Sequence, residues 1–265
     1  GYSYAQLEVP SDEALYIAQS DIKDYFYSLG LPEDLQKFFC LPPLKTAELR
    51  AAGVPAKCLP DSSNAYPTFI VVPMGWSWAM WLAQRTHQHQ AAIACNLDIS
   101  RVIVDGRPSP SLADGEPAIL PYADNLNVVG TDKSRVQKTK DTIVAHLRKL
   151  GFLVHEELDA TDYAISLGFL IDGKKGIVRP NPAKLGKVIL FLEWLSSRPR
   201  VSGKNVERLI GHCVHFSCCA ESYFRSLDHY TTSKLLTCIA ARGFRPAPRL
   251  KLGGPPTFSE SVLQI

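Results

Sequence analysis

The 265-residue sequence predicts an α+β fold, an antiparallel sheet backed by helices and followed by a basic, helical C-terminal part. Three observations predict it. Residues 118–129 hold two apolar runs around a tight polar turn, Tyr122-Ala123-Asp124-Asn125, which is a hairpin pattern. Long helical stretches flank that hairpin at about 77–95 and 134–150. Beyond Pro182 the strand pattern stops, and lysine and arginine outnumber the acids.

The bulk numbers set limits. A hydrophobic share of 46% with a mean hydropathy of −0.04 fits a globular core and not a membrane bundle. No run of about 18 apolar residues is present, so no transmembrane helix is expected. The start, Gly1-Tyr2-Ser3-Tyr4, has neither an initiator Met nor a signal peptide, as expected of a piece cut from a longer polypeptide. Seven cysteines, an odd number with no CxxC pair, point to reduced thiols and an intracellular setting, cytoplasm or nucleus. The net charge of +3 conceals an asymmetry. Residues 1–172 carry 14 Lys+Arg against 21 Asp+Glu, and residues 173–265 carry 15 against 5. An acidic part able to hold metal ions, followed by a basic part, suggests a polyanionic partner.

In chain order, residues 14–20 read as a strand that delivers Asp21 at its end. Asp21 also fits a helix N-cap, since residues 22–29 are able to start a helix. Residues 31–68 are irregular and proline-rich, with a short helix at 46–52 stopped by Gly53 and Pro55. Residues 68–72 read as a buried strand, broken by Pro73-Met74-Gly75-Trp76, and Ser77 is a fair N-cap for the helix that follows. A glycine before a helix N-terminus lets backbone approach an anionic ligand closely. Residues 99–117, with their prolines, read as an exposed insertion.

The hairpin itself puts a carboxylate, Asp124, beside an amide, Asn125, at an open tip suited to a hard cation. After it, Ser134 is expected to cap a helix whose apolar face is Val136, Ile143, Val144, Leu147 and Leu150, with Gly151 at C′. Strands follow at 152–155 and 166–171, then a turn at 172–176 into 177–179. Helices are expected at about 183–197, 203–220 and 222–241, and an extended or disordered tail at 242–265. Two acids far apart in the chain, on neighbouring strands, are able to share a pair of Mg²⁺ ions.

The order of these pieces resembles reverse transcriptases of the retroelement kind. Asp21-x-x-Asp24-x-Phe26 at a strand end is similar to motif A. Pro73-Met74-Gly75-Trp76 followed by Gln84 is similar to motif B, and Tyr122-Ala123-Asp124-Asn125 to motif C. The helix ending at Leu150-Gly151-Phe152 looks like motif D, and Leu167-Gly168-Phe169 like the primer-grip hairpin of motif E. The resemblance covers about residues 14–180. It implies a right-hand polymerase palm with partial fingers over 1–180, a helical thumb over 181–241 and a tail over 242–265.

The resemblance also implies roles. Asp21, Asp124 and the Ile22 carbonyl would hold two Mg²⁺, with Mn²⁺ as a substitute, and Asn125 would complete the catalytic turn. Asp24, Tyr25, Phe26, Met74, Gly75, Gln84 and Tyr122 would line the incoming nucleotide. Within that set Phe26 is the gate against a ribose 2′-OH, and Gln84 sets the template side. Leu167, Gly168 and Phe169 would grip the primer. The chemistry implied is attack of a primer 3′-OH on the α-phosphate of a dNTP, templated by RNA. Lys184, Lys187, Arg200, Lys204 and Arg208, with Arg198, are read from the charge split as tracking phosphates.

The sequence departs from the family at four places. Asn125 replaces a second Asp, His155 stands near the place of a general-acid Lys, and Met74 replaces the retroviral Gln. The fingers segment that clamps the triphosphate would lie upstream, so the fragment is expected to be a poor enzyme alone. His155 reads as a surface strand residue with a chance at proton donation, and His87 and His89 as surface. His212, Cys213, His215, Cys218 and Cys219 fall within one expected helix and read as thumb packing in preference to a zinc site. Val188, Leu192 and Leu195 read as core. The rival reading is a palm-fold scaffold that binds nucleic acid without polymerising. An RNA-templated RNA polymerase is disfavoured by Phe26.

Overall fold

A seven-residue strand, β1 (Tyr16–Ile22), runs through the middle of the main sheet and carries Asp21 near its end. The structure, a computed structural model, describes residue 4 and residues 6–10, 12–104 and 106–217. The expected helix at 222–241, the tail at 242–265, Cys218 and Cys219 lie outside the described residues. After β1 come α1 (Glu33–Gln36), β2 (Leu44–Lys45), α2 (Thr46–Ala51), β3 (Asn64–Ala65) and α3 (Ala79–Cys95). The hairpin β4 (Ala118–Tyr122) and β5 (Asn125–Gly130) leads to α4 (Lys133–Lys149). Then follow β6 (Val154–Thr161), β7 (Tyr163–Ser166), β8 (Phe169–Asp172), β9 (Ile177–Pro180), α5 (Pro182–Ser196) and α6 (Gly203–Ser217).

The main sheet has the order β4-β5-β1-β6, and every neighbouring pair is antiparallel. Alternation along β1 and β5 divides its two faces. Ala18, Ile22, Leu126 and Val128 pack with Ala83 and Ala91 of α3 and Val136, Ile143 and Leu147 of α4. Ile17, Leu120 and Val129 face the other way, with Ala164 of β7 and Ile171 of β8. That second face also holds a buried polar chain. Gln19 Nε2 donates to Asn127 Oδ1 at 2.8 Å, Ser166 Oγ donates to the same oxygen at 2.7 Å, and Tyr4 Oη lies 2.7 Å from Ser166 Oγ. It ties β1, β5 and β7 together, so the three-stranded sheet β7-β8-β9 is pinned to the main one by satisfied polar groups.

Local rules account for most element ends. Asn181 caps α5 by accepting from Ala183 N at 2.9 Å, with Pro182 in the first turn. The α4 helix ends in a Schellman arrangement: Gly151 has φ +93°, its N–H meets Arg148 O, and Phe152 N–H reaches Leu147 O.

Several expectations are corrected. Residues 68–72 make isolated bridges to Gly30 and Cys40 and no strand, with Ile70 66% exposed, because their partners are short loops and not a sheet edge. Neither expected serine caps its helix. Asp132 caps α4, accepting from Ser134 N and Arg135 N, and α3 starts after Trp78 with no side-chain cap. The short segment after Asp21 is a 3-10 turn, Tyr25–Ser28, led by Asp24 at φ +54°, so Asp21 is a strand residue and not a cap. Residues 99–117 are only partly an exposed insertion, since Val102, Ile103 and Leu112 are buried and Ile103 N bonds Ile119 O. Leu150 is half-exposed at the end of α4 and lies off its buried face, which instead includes Lys140 between Val136 and Ile143. The strand expected at 152–155 runs from Val154 to Thr161, and the single strand expected at 166–171 is two, β7 and β8, paired across a turn at Leu167–Gly168. No helix among the described residues is long and apolar enough to cross a membrane.

Candidate functional site

Four residues line up across the main sheet, one from each strand. Tyr122 of β4 pairs with Asn125 of β5, Asn125 with Asp21 of β1, and Asp21 with His155 of β6. Paired residues project to the same side, so this row lies on one face. Asp124 sits in the two-residue turn between β4 and β5, and its carbonyl accepts from Ile22 N at 2.9 Å. The two acids are thereby brought to neighbouring backbone positions.

Burial, then the charge of Asp124, pushes the Asp21 carboxyl above its ordinary range, and His155 pulls it back. His155 Nε2 stands 3.0 Å from Asp21 Oδ1. A bulge in β6 aims it there: the register slips between Gln19 and Asp21, and Glu156 adopts φ +50°. Asn125 Nδ2 donates to Asp124 Oδ1 at 2.9 Å, so this amide orients the acid through its nitrogen.

Helix α3 holds the turn from behind. Gln84 Nε2 donates to Pro121 O at 2.5 Å, and Gln84 Oε1 accepts from Ala123 N at 2.8 Å. The family resemblance implies a template-side role for Gln84, whereas in the structure both ends of its amide bind the hairpin. His87 is a correction: expected on the surface, it is 1% exposed, with Nδ1 2.7 Å from Ala123 O. Burial lowers its pKa to about 4. Sequence reasoning missed it, although Ala79, Ala83, His87 and Ala91 recur every fourth residue and mark the buried stripe of α3.

The remaining expected residues divide by access. Phe26 is half-buried, Asp24 and Gly75 are exposed, and Met74 and Tyr122 are more than half exposed. Tyr25 is a correction. Its ring is buried against His87 and Phe152, and its hydroxyl donates to Ala83 O at 2.8 Å, so its side chain does not face solvent. Gly75, at φ +96°, lies in the turn leading into α3.

Leu167 and Gly168 form the tip between β7 and β8, both in the left-handed region at φ +49° and +89°. Phe169 is fully buried and packs on His215 of α6 with ring centroids 5.0 Å apart, which corrects its expected exposure to a primer. Lys184 and Lys187 on α5, Arg200 between the helices, and Lys204 and Arg208 on α6 are all exposed, and Arg198 lies over the Trp194 ring. Val188 and Leu195 are buried and Leu192 is half-buried, as the sequence suggests.

Asp21 and Asp124 offer hard carboxylate oxygens from neighbouring backbone positions, and the charge of Asp124 is only partly offset at Asp21 by His155, a donor set that suits a divalent hard cation. Among the described residues, no group of three or more His, Cys, Asp or Glu side chains is arranged to hold a metal. Any ion here therefore needs backbone, substrate or solvent oxygens besides the two carboxylates.

No known protein-family model matches the chain, and no curated protein matches it. Among solved structures it is similar to a foamy viral protease-reverse transcriptase in complex with ds DNA, with 12% identity and a TM-score of 0.49. That similarity covers 78% of this chain and 28% of the other.

Proposed function

We propose that the chain is the palm and thumb of an RNA-directed DNA polymerase, transferring nucleotides from dNTPs to a primer 3′-OH. The observation that carries the reading is the convergence of Asp21 and Asp124. Supporting it, the Asp21–Asn125 pairing and the Ile22–Asp124 hydrogen bond bring the two acids to neighbouring backbone positions, and burial together with the charge of Asp124 raises the Asp21 pKa. Two bound Mg²⁺ would lower the pKa of the attacking hydroxyl and neutralise charge on the leaving pyrophosphate. The chain's own part is to hold: Asp21, Asp124 and the Ile22 carbonyl take the ions, and Asn125 fixes the Asp124 rotamer. Phe26 stands two residues past Asp24 as the sugar gate, Met74 and Gly75 flank the nucleotide, and Tyr122 extends the row. Leu167 and Gly168 take the primer end, and the exposed lysines and arginines of α5 and α6 follow the phosphates of an RNA template and DNA primer.

Primer extension on an RNA template with dNTPs and Mg²⁺ tests this. Asp21→Ala and Asp124→Ala should each abolish extension, and Phe26→Ala should admit rNTPs. Extension that survives either acid substitution refutes the reading. A second reading, nucleic-acid binding without polymerisation, is favoured by Asn125, which supplies no second charge in the turn. It predicts template binding with no extension, and extension appearing in Asn125→Asp.

A further inference from the structure

The peptide plane between Ala123 and Asp124 sets the base from which the Asp124 side chain departs, and Asn125 then orients the carboxylate itself. A peptide unit is rigid, so the Ala123 carbonyl and the Asp124 nitrogen turn together. His87 Nδ1 lies 2.7 Å from that carbonyl oxygen. A carbonyl oxygen only accepts, so Nδ1 carries the proton and Nε2 is the bare ring nitrogen. Among the described residues no protein group bonds Nε2, which is buried. The plane on the far side of Asp124 is held as well, because its carbonyl accepts from Ile22 N at 2.9 Å. Both planes flanking the acid are thus fixed, one from α3 and one from β1.

Fixing is needed here. Ala123 adopts φ +50°, a left-handed conformation that is unfavourable for an L-residue. The turn persists because Gln84 takes the Ala123 N–H while His87 takes its C=O. The imidazole has little freedom, being packed against Tyr25 at 5.7 Å between ring centroids, and Tyr25 is itself anchored to Ala83 O one turn earlier on α3.

We infer that His87 is a positioning residue for Asp124: its Nδ1–H holds the Ala123–Asp124 peptide so that the carboxylate faces the cation shared with Asp21. This rests on the proposed cation role of Asp124.

The test is Mn²⁺ binding to the full chain, read by electron paramagnetic resonance, for wild type, His87→Asn and His87→Gln. An Asn amide nitrogen falls where Nδ1 stands, and a Gln amide nitrogen falls near Nε2. Both variants bury one polar amide, so a merely structural role predicts equal effects. The inference predicts near wild-type affinity for His87→Asn and a loss of roughly tenfold for His87→Gln, the size usual for groups that orient a metal ligand. Equal affinities in the two variants overturn the inference alone. A wild type that binds no Mn²⁺ overturns the metal reading and this inference with it. If His87→Gln does not fold, a scalar coupling in wild type between His87 ¹⁵Nδ1 and the Ala123 carbonyl carbon supports the inference. Its absence overturns it.

Discussion

Replacing Asp21 with Asn should make the protein more stable and abolish binding of the proposed divalent cation. The working starts from opposing effects at one side chain. Burial and the charge of Asp124 both disfavour the Asp21 anion, while His155 at 3.0 Å favours it. The His155 pair is 40% exposed on the histidine side and is worth about 0.5 kcal/mol after solvent screening. Asn keeps an oxygen for His155 Nε2 and sheds the charge. The net gain should be about 1 kcal/mol, within the range usual for a single stabilising substitution. In a domain of this size that is roughly 2–4 °C in Tm.

The pH dependence has a fixed sign. A folded-state pKa above the unfolded value means that Asp21 contributes stability below the unfolded pKa of 3.8 and loses it as pH rises through the folded value. The advantage of Asp21→Asn should therefore be absent at acid pH and grow toward neutrality. Thermal unfolding in chelator across that range measures it. Saturating Mg²⁺ should then raise wild type by about 2.7 kcal/mol at a hundredfold excess over Kd and leave the variant unmoved. A variant less stable than wild type in chelator at neutral pH, or equal Mg²⁺ stabilisation of both, refutes the reasoning.

Asn125→Asp removes the donor to Asp124 Oδ1 and adds a like charge. It should lower stability in chelator by about 1 kcal/mol and tighten divalent binding, read by calorimetry. Lys140, 2% exposed, meets Glu157 at 3.2 Å and Asp141 and Asp159 at 3.1 Å, and Asp159 is 84% exposed. Its carboxylate partners regain water if the ammonium is lost. Lys140→Met should be neutral within about 1 kcal/mol, and Lys140→Ala should cost about 2–3 kcal/mol of stem packing, both read by urea denaturation. Gly168→Ala meets φ +89° and a Cβ 2.8 Å from His215 Nε2, so it should cost about 1–2 kcal/mol by the same assay.

How much was legible depended on how far each signal reaches along the chain. The hairpin, α2, α3, α4 and the ends at Gly53 and Gly151 follow from short-range periodicity and turn chemistry, and they appear within a residue or two of their expected places. The approach of Asp21 to Asp124 was legible only as a pattern of spaced motifs, because strand order is not a local property. His155 lies partly exposed on the edge strand β6, in keeping with a surface strand residue, but its 3.0 Å approach to Asp21 depends on a bulge that shifts β6 against β1, and no spacing in the sequence announces that slip. Tyr25 and Phe169 were misjudged for a related reason. An aromatic beside a functional motif looks the same whether it faces a ligand or a core, and only the packing of Phe152 and His215 decides. Lys140 shows the limit of polarity as a guide, since its stem fills a helix stripe while its charge reaches acids at the rim.

The chain of Tyr4, Ser166, Asn127 and Gln19 has a consequence for how the two sheets move. Each hydroxyl and amide finds its partner at one alignment of β1, β5 and β7, and a shift of one residue would turn all of them away at once. The two sheets are therefore indexed like meshed teeth. Ser166 lies next to the Leu167–Gly168 tip and Asn127 lies two residues from Asn125, so a single hydrogen bond joins the strand leading to the tip with the strand leaving the turn.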